Sequence, residues 1–169
     1  MTKNALLAIL FIIVGLLAIG EPMVAGMAVA LLVGWALILA AIAHLFGAFT
    51  AGGFGRAVWQ VLIAIAYFIG GMYFITHPLL GLGTLTLILA IVLFVEAVFE
   101  LVVYTQTRHL PGAGWRLMNA IVTAILGLLI WAGWPSTSVW AIGTLVGVNF
   151  LMTGISRLMF GMAVRRLTS

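Results

Sequence analysis

The stretch LLGLGTLTLILAIVLFVEAVFELVVY, from Leu79 to Tyr104, decides how this chain folds. It is apolar throughout, apart from its threonines and two carboxylates, Glu96 and Glu100. An uninterrupted apolar run longer than about 18 residues is typical of a transmembrane helix. Residues four apart lie on one face of a helix, so the two glutamates share a face. Carboxylates are rare inside membrane spans, which makes this face a candidate functional site.

The composition of the whole chain indicates the same class of protein. Of 169 residues, 66% are hydrophobic and 6% are charged, and the mean hydropathy is +1.37. A soluble domain of this size has too little interior to bury that fraction of apolar side chains. We therefore predict an all-α integral membrane protein, with residues 1–169 forming a single membrane domain.

Six apolar segments follow one another, and we predict that each is a transmembrane helix: Ala5–Gly20, Met23–Ala48, Val58–Thr76, Leu79–Tyr104, Leu117–Gly133 and Ser136–Met162. They form three pairs, because a tight turn with a proline separates the two members of each pair. Similar residues recur at fixed distances from each proline, which indicates internal repeats. We predict three tandem helical hairpins, residues 5–48, 58–104 and 117–162, arranged around a pseudo-threefold axis.

The first segment has a second interpretation as a signal peptide, because Lys3 precedes an apolar stretch that ends in Ala18-Ile19-Gly20. The segment has counterparts later in the chain. We therefore interpret it as a retained first span.

The basic residues indicate the orientation in the membrane. All of them lie on the side of the termini and the longer loops: Lys3, Arg56, Arg108, Arg116, Arg157, Arg165 and Arg166. The three proline turns carry neither Lys nor Arg. Basic residues concentrate on the cytoplasmic side of membrane proteins. We predict a multi-pass protein of the bacterial cytoplasmic (inner) membrane with both termini in the cytoplasm, and no nucleic-acid partner.

Polar residues on the second helix of each pair form a candidate cluster: His44, Glu96, Glu100, Asn149, Thr153 and Arg157. His44, Glu100 and Arg157 occupy equivalent places in the three repeats and would meet at one depth around a threefold axis. An acid, a base and an imidazole can satisfy one another where water is scarce, so we expect Glu100 to pair with Arg157 or His44. The cluster has three possible roles, namely fixing helix packing at the interface, handling protons or ions, and binding lipid headgroups.

Two further observations concern the turns and the glycines. Glu21 and His77 both lie immediately before a turn proline, and we consider them candidate pH-responsive residues on the outer side, or turn residues without a special role. Gly26, Ala30 and Gly34 recur every four residues, a spacing that lets membrane helices pack closely. We expect this packing to lie within the chain, with a homodimer seam as the alternative.

The sequence lacks the residues and motifs of common enzymes. It contains no cysteine and no aspartate, and HExxH, GxSxG and phosphate-loop motifs are absent. We therefore predict a protein that is not an enzyme, with no catalytic residue, no cofactor and no metal site.

The repeat layout resembles the HdeD family of bacterial inner-membrane proteins, on the positions Gly15, Pro22, Gly34, Trp59, Gly71, Pro78, Trp115, Gly127, Pro135, Gly147 and Gly154. The resemblance implies a short-repeat, six-span protein linked to acid resistance by an undefined mechanism. On this basis we expect a non-enzymatic stress-response protein. A small transporter or a proton or ion channel that uses the Glu96/Glu100 face, or an accessory subunit of a larger membrane complex, is the alternative. The expected partners are the lipid bilayer and a second copy or another membrane protein.

Overall fold

The apolar segments are helices in the computed structural model, which describes residues 2–109 and 113–168, and the side chains of residues 6–109 and 113–160. The elements in chain order are α1 (Thr2–Gly20), α2 (Pro22–Phe49), α3 (Phe54–Thr76), α4 (Pro78–Thr107), α5 (Ala113–Ala132), a 3₁₀ helix (Ser136–Val139) and α6 (Ala141–Thr168). No strand occurs among the described residues, and the predicted all-α fold class is confirmed. Residues 110–112, in the longer loop between the fourth and fifth segments, lie outside the described residues, as do the side chains of Lys3, Arg165 and Arg166.

Most of the helices have the length and composition of membrane spans. Within the described residues, five are long and apolar enough to cross a bilayer: Pro22–Phe49, Phe54–Thr76, Pro78–Thr107, Ala113–Ala132 and Ser136–Phe160. The described part of α1, Leu6–Gly20, is a shorter apolar helix. Large apolar side chains are exposed along the helices, as Leu32 is at 69%, whereas alanines such as Ala30 and Ala90 are fully buried. This inside-out distribution is the one expected when lipid surrounds the helices and small residues join them.

Two of the proline turns have nearly the same backbone geometry. The residue before the proline has φ −128° and ψ 67° at Glu21, and φ −132° and ψ 65° at His77. Proline then takes the first helical position, where its missing N–H leaves no hydrogen bond unmade. The third turn differs, since the Trp134–Pro135 peptide is cis and the 3₁₀ helix precedes α6. The segment predicted to be helical from Ser136 therefore begins as a 3₁₀ helix, and α6 starts at Ala141.

The most extensive helix contacts do not join the helices that flank a proline turn. Instead α3 packs along α2, α5 packs along α4, and α1 packs along α6. Each short helix thus packs on the long helix of a different pair. Together with the three proline turns, these contacts connect the six helices in a closed ring. The tandem-hairpin arrangement is not confirmed as such, because the helices of a pair are linked by a turn but touch each other little.

Small residues lie where these paired helices cross. A Cβ atom on Gly71 would lie 2.8 Å from the Gly34 carbonyl oxygen, and one on Gly15 would lie 2.8 Å from that of Gly147. The corresponding distance in the third crossing, from Gly127 to the Ala90 oxygen, is 3.4 Å. Gly34, one of the regularly spaced small residues, therefore packs within the chain at one of these crossings, as its spacing predicts.

The long helices α2, α4 and α6 meet near the proline turns. Leu82 on α4 is 1% exposed, and its Cδ atoms lie 2.9 and 3.0 Å from where a Cβ on Gly26 of α2 would be. The same position of α2 is 3.6 Å from the Gly143 nitrogen of α6. The three long helices therefore form the centre of the bundle at this end.

Candidate functional site

Three of the candidate polar residues, His44, Glu100 and Arg157, lie toward the opposite end of the long helices from this junction. His44 follows Gly26 by about five helical turns, so these two residues share a face of α2. Glu100 follows Leu82 by about five turns and shares a face of α4 with it. The faces that meet at the proline end therefore carry ionisable side chains at the other end. The structure decides whether those side chains also meet.

His44 contacts the short helix α3 that packs along its own helix. Its Nδ1 atom lies 2.5 Å from the Oε1 atom of Gln60. The imidazole ring stacks on Tyr67, with ring centroids 5.3 Å apart and an interplanar angle of 11°. Both His44 and Gln60 are half-buried. The imidazole thus ties α2 to α3 by one hydrogen bond and one stacking contact.

Glu100 makes an equivalent connection from α4 to α5. The Asn119 side-chain amide donates from Nδ2 to Oε1 of Glu100 over 2.8 Å. The second carboxylate oxygen, Oε2, is buried and has no hydrogen-bond partner among the residues that the structure describes. Buried polar atoms are normally paired, so this oxygen is the least satisfied polar atom of the site.

Arg157 contacts α1, the short helix that packs along α6. Its guanidinium carbon lies 4.7 Å from the centroid of the Phe11 ring, a cation–π geometry. Phe11 also packs against Phe150 of α6, with ring centroids 5.3 Å apart. Between α6 and α1 the partner of the ionisable side chain is therefore an aromatic ring, whereas it is an amide between α2 and α3 and between α4 and α5.

His44, Glu100 and Arg157 therefore do not form one cluster. Each contacts the short helix alongside its own long helix, and Glu100 forms neither of the ion pairs expected with Arg157 and His44. The physical reason is the close crossing of each long helix with a short one, which brings an amide or a ring within reach. Sequence reasoning missed the partners Gln60 and Asn119, although both are polar residues in otherwise apolar segments.

The other members of the predicted cluster make fewer contacts with neighbouring helices. The Thr153 hydroxyl donates to Oδ1 of Asn149 over 3.4 Å, one turn away on the same helix. Asn149 is exposed, and so is Glu96, one turn before Glu100. No group of three or more His, Asp or Glu side chains suited to a metal ion occurs within the described residues.

The two turn residues stay on the surface. Glu21 and His77 are exposed, and each occupies the N-cap position of a long helix without a side-chain capping bond. The His77 ring lies 2.9 Å from the Thr76 hydroxyl through Nδ1 and stacks on Tyr73, with centroids 5.9 Å apart. Glu21 and His77 therefore belong to separate turns with similar backbones.

Comparisons with known proteins connect this architecture to a family. The family described as "Short repeat of unknown function (DUF308)" matches residues 6–76, 62–132 and 131–169. The chain is 30% identical over 156 residues to "Protein HdeD" of Escherichia coli strain K12, covering 91% of this chain and 82% of that protein. The HdeD proteins of Escherichia coli O157:H7 and Shigella flexneri match with the same identity and coverage. No solved structure matches the chain.

Proposed function

The chain belongs to the HdeD-like family of short-repeat membrane proteins, and from this we propose that it is a non-enzymatic protein that supports resistance of the cell to acid or related stress. The observation that carries the proposal is the extent of the similarity, which covers 91% of this chain and 82% of the HdeD protein. The family resemblance implies a link to acid resistance. Location in the bacterial inner membrane with cytoplasmic termini is part of the same proposal.

The contacts of the ionisable residues support a non-enzymatic role. His44, Glu100 and Arg157 each engage the neighbouring short helix rather than a common centre. Such contacts stabilise the association of membrane helices, where a polar side chain without a partner is costly. Their arrangement is that of residues that hold helices together.

Acid survival tests the proposal directly. We expect this chain, expressed in Escherichia coli that lacks its own HdeD protein, to raise survival after acid challenge above that of cells with an empty vector. The matched control is Gly143→Leu, which places a side chain against the Pro22 backbone and should lose the folded protein together with the protection. Equal survival with and without folded protein would contradict the proposal.

A second candidate function is proton or ion handling at the Glu96/Glu100 face. It is favoured by one observation, the buried Oε2 atom of Glu100 without a partner among the described residues. Intramembrane carboxylates with this character line the proton pathways of pumps and transporters. Glu96, exposed and one turn away, would supply a second carboxylate on the same face.

Proton flux into liposomes separates the two candidates. A channel or transporter at this face predicts a pH-driven flux that Glu100→Gln abolishes while the amount of folded protein stays unchanged. The structural role predicts no flux above that of empty liposomes, and a loss of thermal stability for Glu100→Gln. Thr105→Ala, a change at an exposed position of the same helix, five residues after Glu100, serves as the control for handling and reconstitution.

A further inference from the structure

Two of the three helix pairs contain the same contact between a basic side chain and an aromatic ring. The His44 ring stacks on Tyr67 with centroids 5.3 Å apart, and the Arg157 guanidinium carbon lies 4.7 Å from the centroid of Phe11. Tyr67 and Phe11 occupy equivalent places, each four residues before the glycine at which its short helix crosses the long one. One structural element thus occurs twice, once with a permanent cation and once with an imidazole.

The third helix pair has no ring at this place. The equivalent residue of α5, four before Gly127, is the buried Thr123. The long helix of this pair carries Glu100 instead of a base, and its carboxylate accepts a hydrogen bond from Asn119. The face of an aromatic ring is electronegative, so it attracts a cation and repels a carboxylate. A ring is therefore present where the long helix carries a base and absent where it carries an acid.

The hydrogen bond of His44 is compatible with a charged imidazole. Its Nδ1 atom lies 2.5 Å from Oε1 of Gln60, a carbonyl oxygen that only accepts. Nδ1 therefore carries a hydrogen and donates it, and Nε2 is the nitrogen that takes up a further proton. Protonation leaves the bond to Gln60 in place and makes its donor charged, which strengthens such a bond.

Other ionisable groups do not take the place of these two partners. Among the described side chains of the helices packed against α2, the charged and titratable ones are Arg56, Tyr67 and Tyr73 on α3, Glu96, Glu100 and Tyr104 on α4, and Arg157 on α6. Glu100 is bonded to Asn119 and Arg157 lies on Phe11. The sequence has no Asp or Glu between Glu21 and Glu96, so neither α2 nor α3 supplies a carboxylate. The charge state of His44 therefore acts mainly on Gln60 and Tyr67.

We propose that His44 is an acid-strengthened link between α2 and α3. An imidazole ordinarily becomes charged below about pH 6.5. The imidazolium keeps its hydrogen bond to Gln60 and adds a cation–π contact with Tyr67, the contact that Arg157 makes with Phe11 at every pH. The added stabilisation is present in acid and is lost as the pH rises through the histidine range. The proposal concerns the association of two helices and does not rest on a role of the protein in acid survival.

Thermal unfolding of the purified full chain in detergent tests the pH dependence. Wild type and His44→Gln are compared at about pH 5.5 and about pH 7.5, on either side of the usual histidine midpoint. We expect the Tm advantage of the wild type to be about 2–4 °C larger at the lower pH, the effect of one cation–π contact in a chain of this size. Glu21 and His77 titrate in both proteins, so their effects cancel in the comparison. An advantage that is equal at both pH values, or smaller in acid, would overturn the proposal.

Variants of the ring separate the cation–π contact from the hydrogen bond. Tyr67, which is 37% exposed, is replaced by Phe, which keeps the ring face, or by Leu, which removes it. Tyr67→Phe should retain the gain in acid, and Tyr67→Leu should lose more Tm at the lower pH than at the higher. The matched control is Phe11→Leu, because the guanidinium group of Arg157 stays charged at both pH values and the loss should be the same. A loss for Tyr67→Leu that does not depend on pH would contradict the proposal.

Nitrogen NMR of the unmodified chain gives a result that no folding defect can affect. With ¹⁵N-labelled histidine, the His44 signals are assigned by their absence from the spectrum of His44→Gln. Nδ1 should carry a hydrogen throughout the titration, and Nε2 should change from unprotonated to protonated as the pH falls. If Nδ1 is instead the nitrogen that gains the proton, acid breaks a bond donated by Gln60, and the proposal is overturned.

Discussion

The backbone of Gly143 on α6 lies directly against the carbonyl group of Pro22 at the start of α2. A Cβ atom on Gly143 would overlap the carbonyl oxygen and carbon of Pro22, and backbone atoms cannot rotate away. The same residue lies next to Gly26, whose added Cβ would be 3.6 Å from the Gly143 nitrogen. The meeting of α2 and α6 near the proline turns therefore depends on a residue without a side chain.

We expect Gly143→Ala to lower the free energy of unfolding in detergent by about 3 kcal/mol or more, the upper end of the cost of overpacking, because two helix backbones must move apart. The matched control is Gly20→Ala, since a Cβ on Gly20 has no atom within 4 Å. It should change stability by no more than about 1 kcal/mol. Equal effects of the two substitutions in a thermal unfolding experiment would show that the contact of Gly143 with Pro22 does not support the bundle.

The three helix crossings should differ in their tolerance of a methyl group. Gly15→Ala and Gly71→Ala place Cβ atoms 2.8 Å from a carbonyl oxygen of the facing helix, and each should cost about 1–3 kcal/mol. In Gly127→Ala the nearest atoms are 3.3 Å and 3.4 Å away, so its cost should be clearly smaller. Thermal unfolding of the three variants, side by side, checks this order. A Gly127→Ala variant as unstable as the other two would contradict it.

The sequence is enough to locate the helices but not to pair them. Proline at the first helical position and long apolar runs are local signals, so the bounds of α2 and α4 differ from the predicted segments by only a few residues. Gly71 indicates a close approach, but no local signal says that its partner is Gly34 on the preceding long helix. Pairing depends on contacts between residues far apart in the chain, which a single sequence does not contain.

The same limit explains why the partners predicted for the polar residues differ from those in the structure. Equivalent places in the repeats predict that His44, Glu100 and Arg157 meet at one depth, yet the hydrogen-bond partners of His44 and Glu100 are Gln60 and Asn119. An amide on a short helix can donate to a carboxylate or exchange a hydrogen bond with an imidazole without carrying an opposite charge. Repeat positions and complementary charge point to the other long helices, whereas the amides lie on the short helices, at places that neither signal marks.

Membrane topology gives a prediction that uses the absence of cysteine from the chain. Single cysteines introduced at the exposed positions Thr50 and Thr105 should resist an impermeant thiol reagent in intact cells, because the distribution of the basic residues predicts that these helix ends lie in the cytoplasm. A cysteine at the exposed position Ser136, in the third proline turn, should react. All three should react in permeabilised cells, which controls for accessibility. Labelling of Thr50→Cys but not Ser136→Cys in intact cells would reverse the orientation.

The hydrogen bond from Asn119 to Glu100 predicts which residues are energetically coupled. In a double-mutant cycle of Glu100→Ala and Asn119→Ala, measured by unfolding in detergent, we expect a coupling of about 0.6–1.7 kcal/mol, the range found for hydrogen bonds between membrane helices. The matched cycle pairs Glu100→Ala with Arg157→Ala. These two residues have different partners, so their effects should add within about 0.5 kcal/mol. A coupling of Glu100 to Arg157 without a coupling to Asn119 would mean that the charged residues act across the centre of the bundle. Each long helix would then not be tied to its own short helix by these side chains.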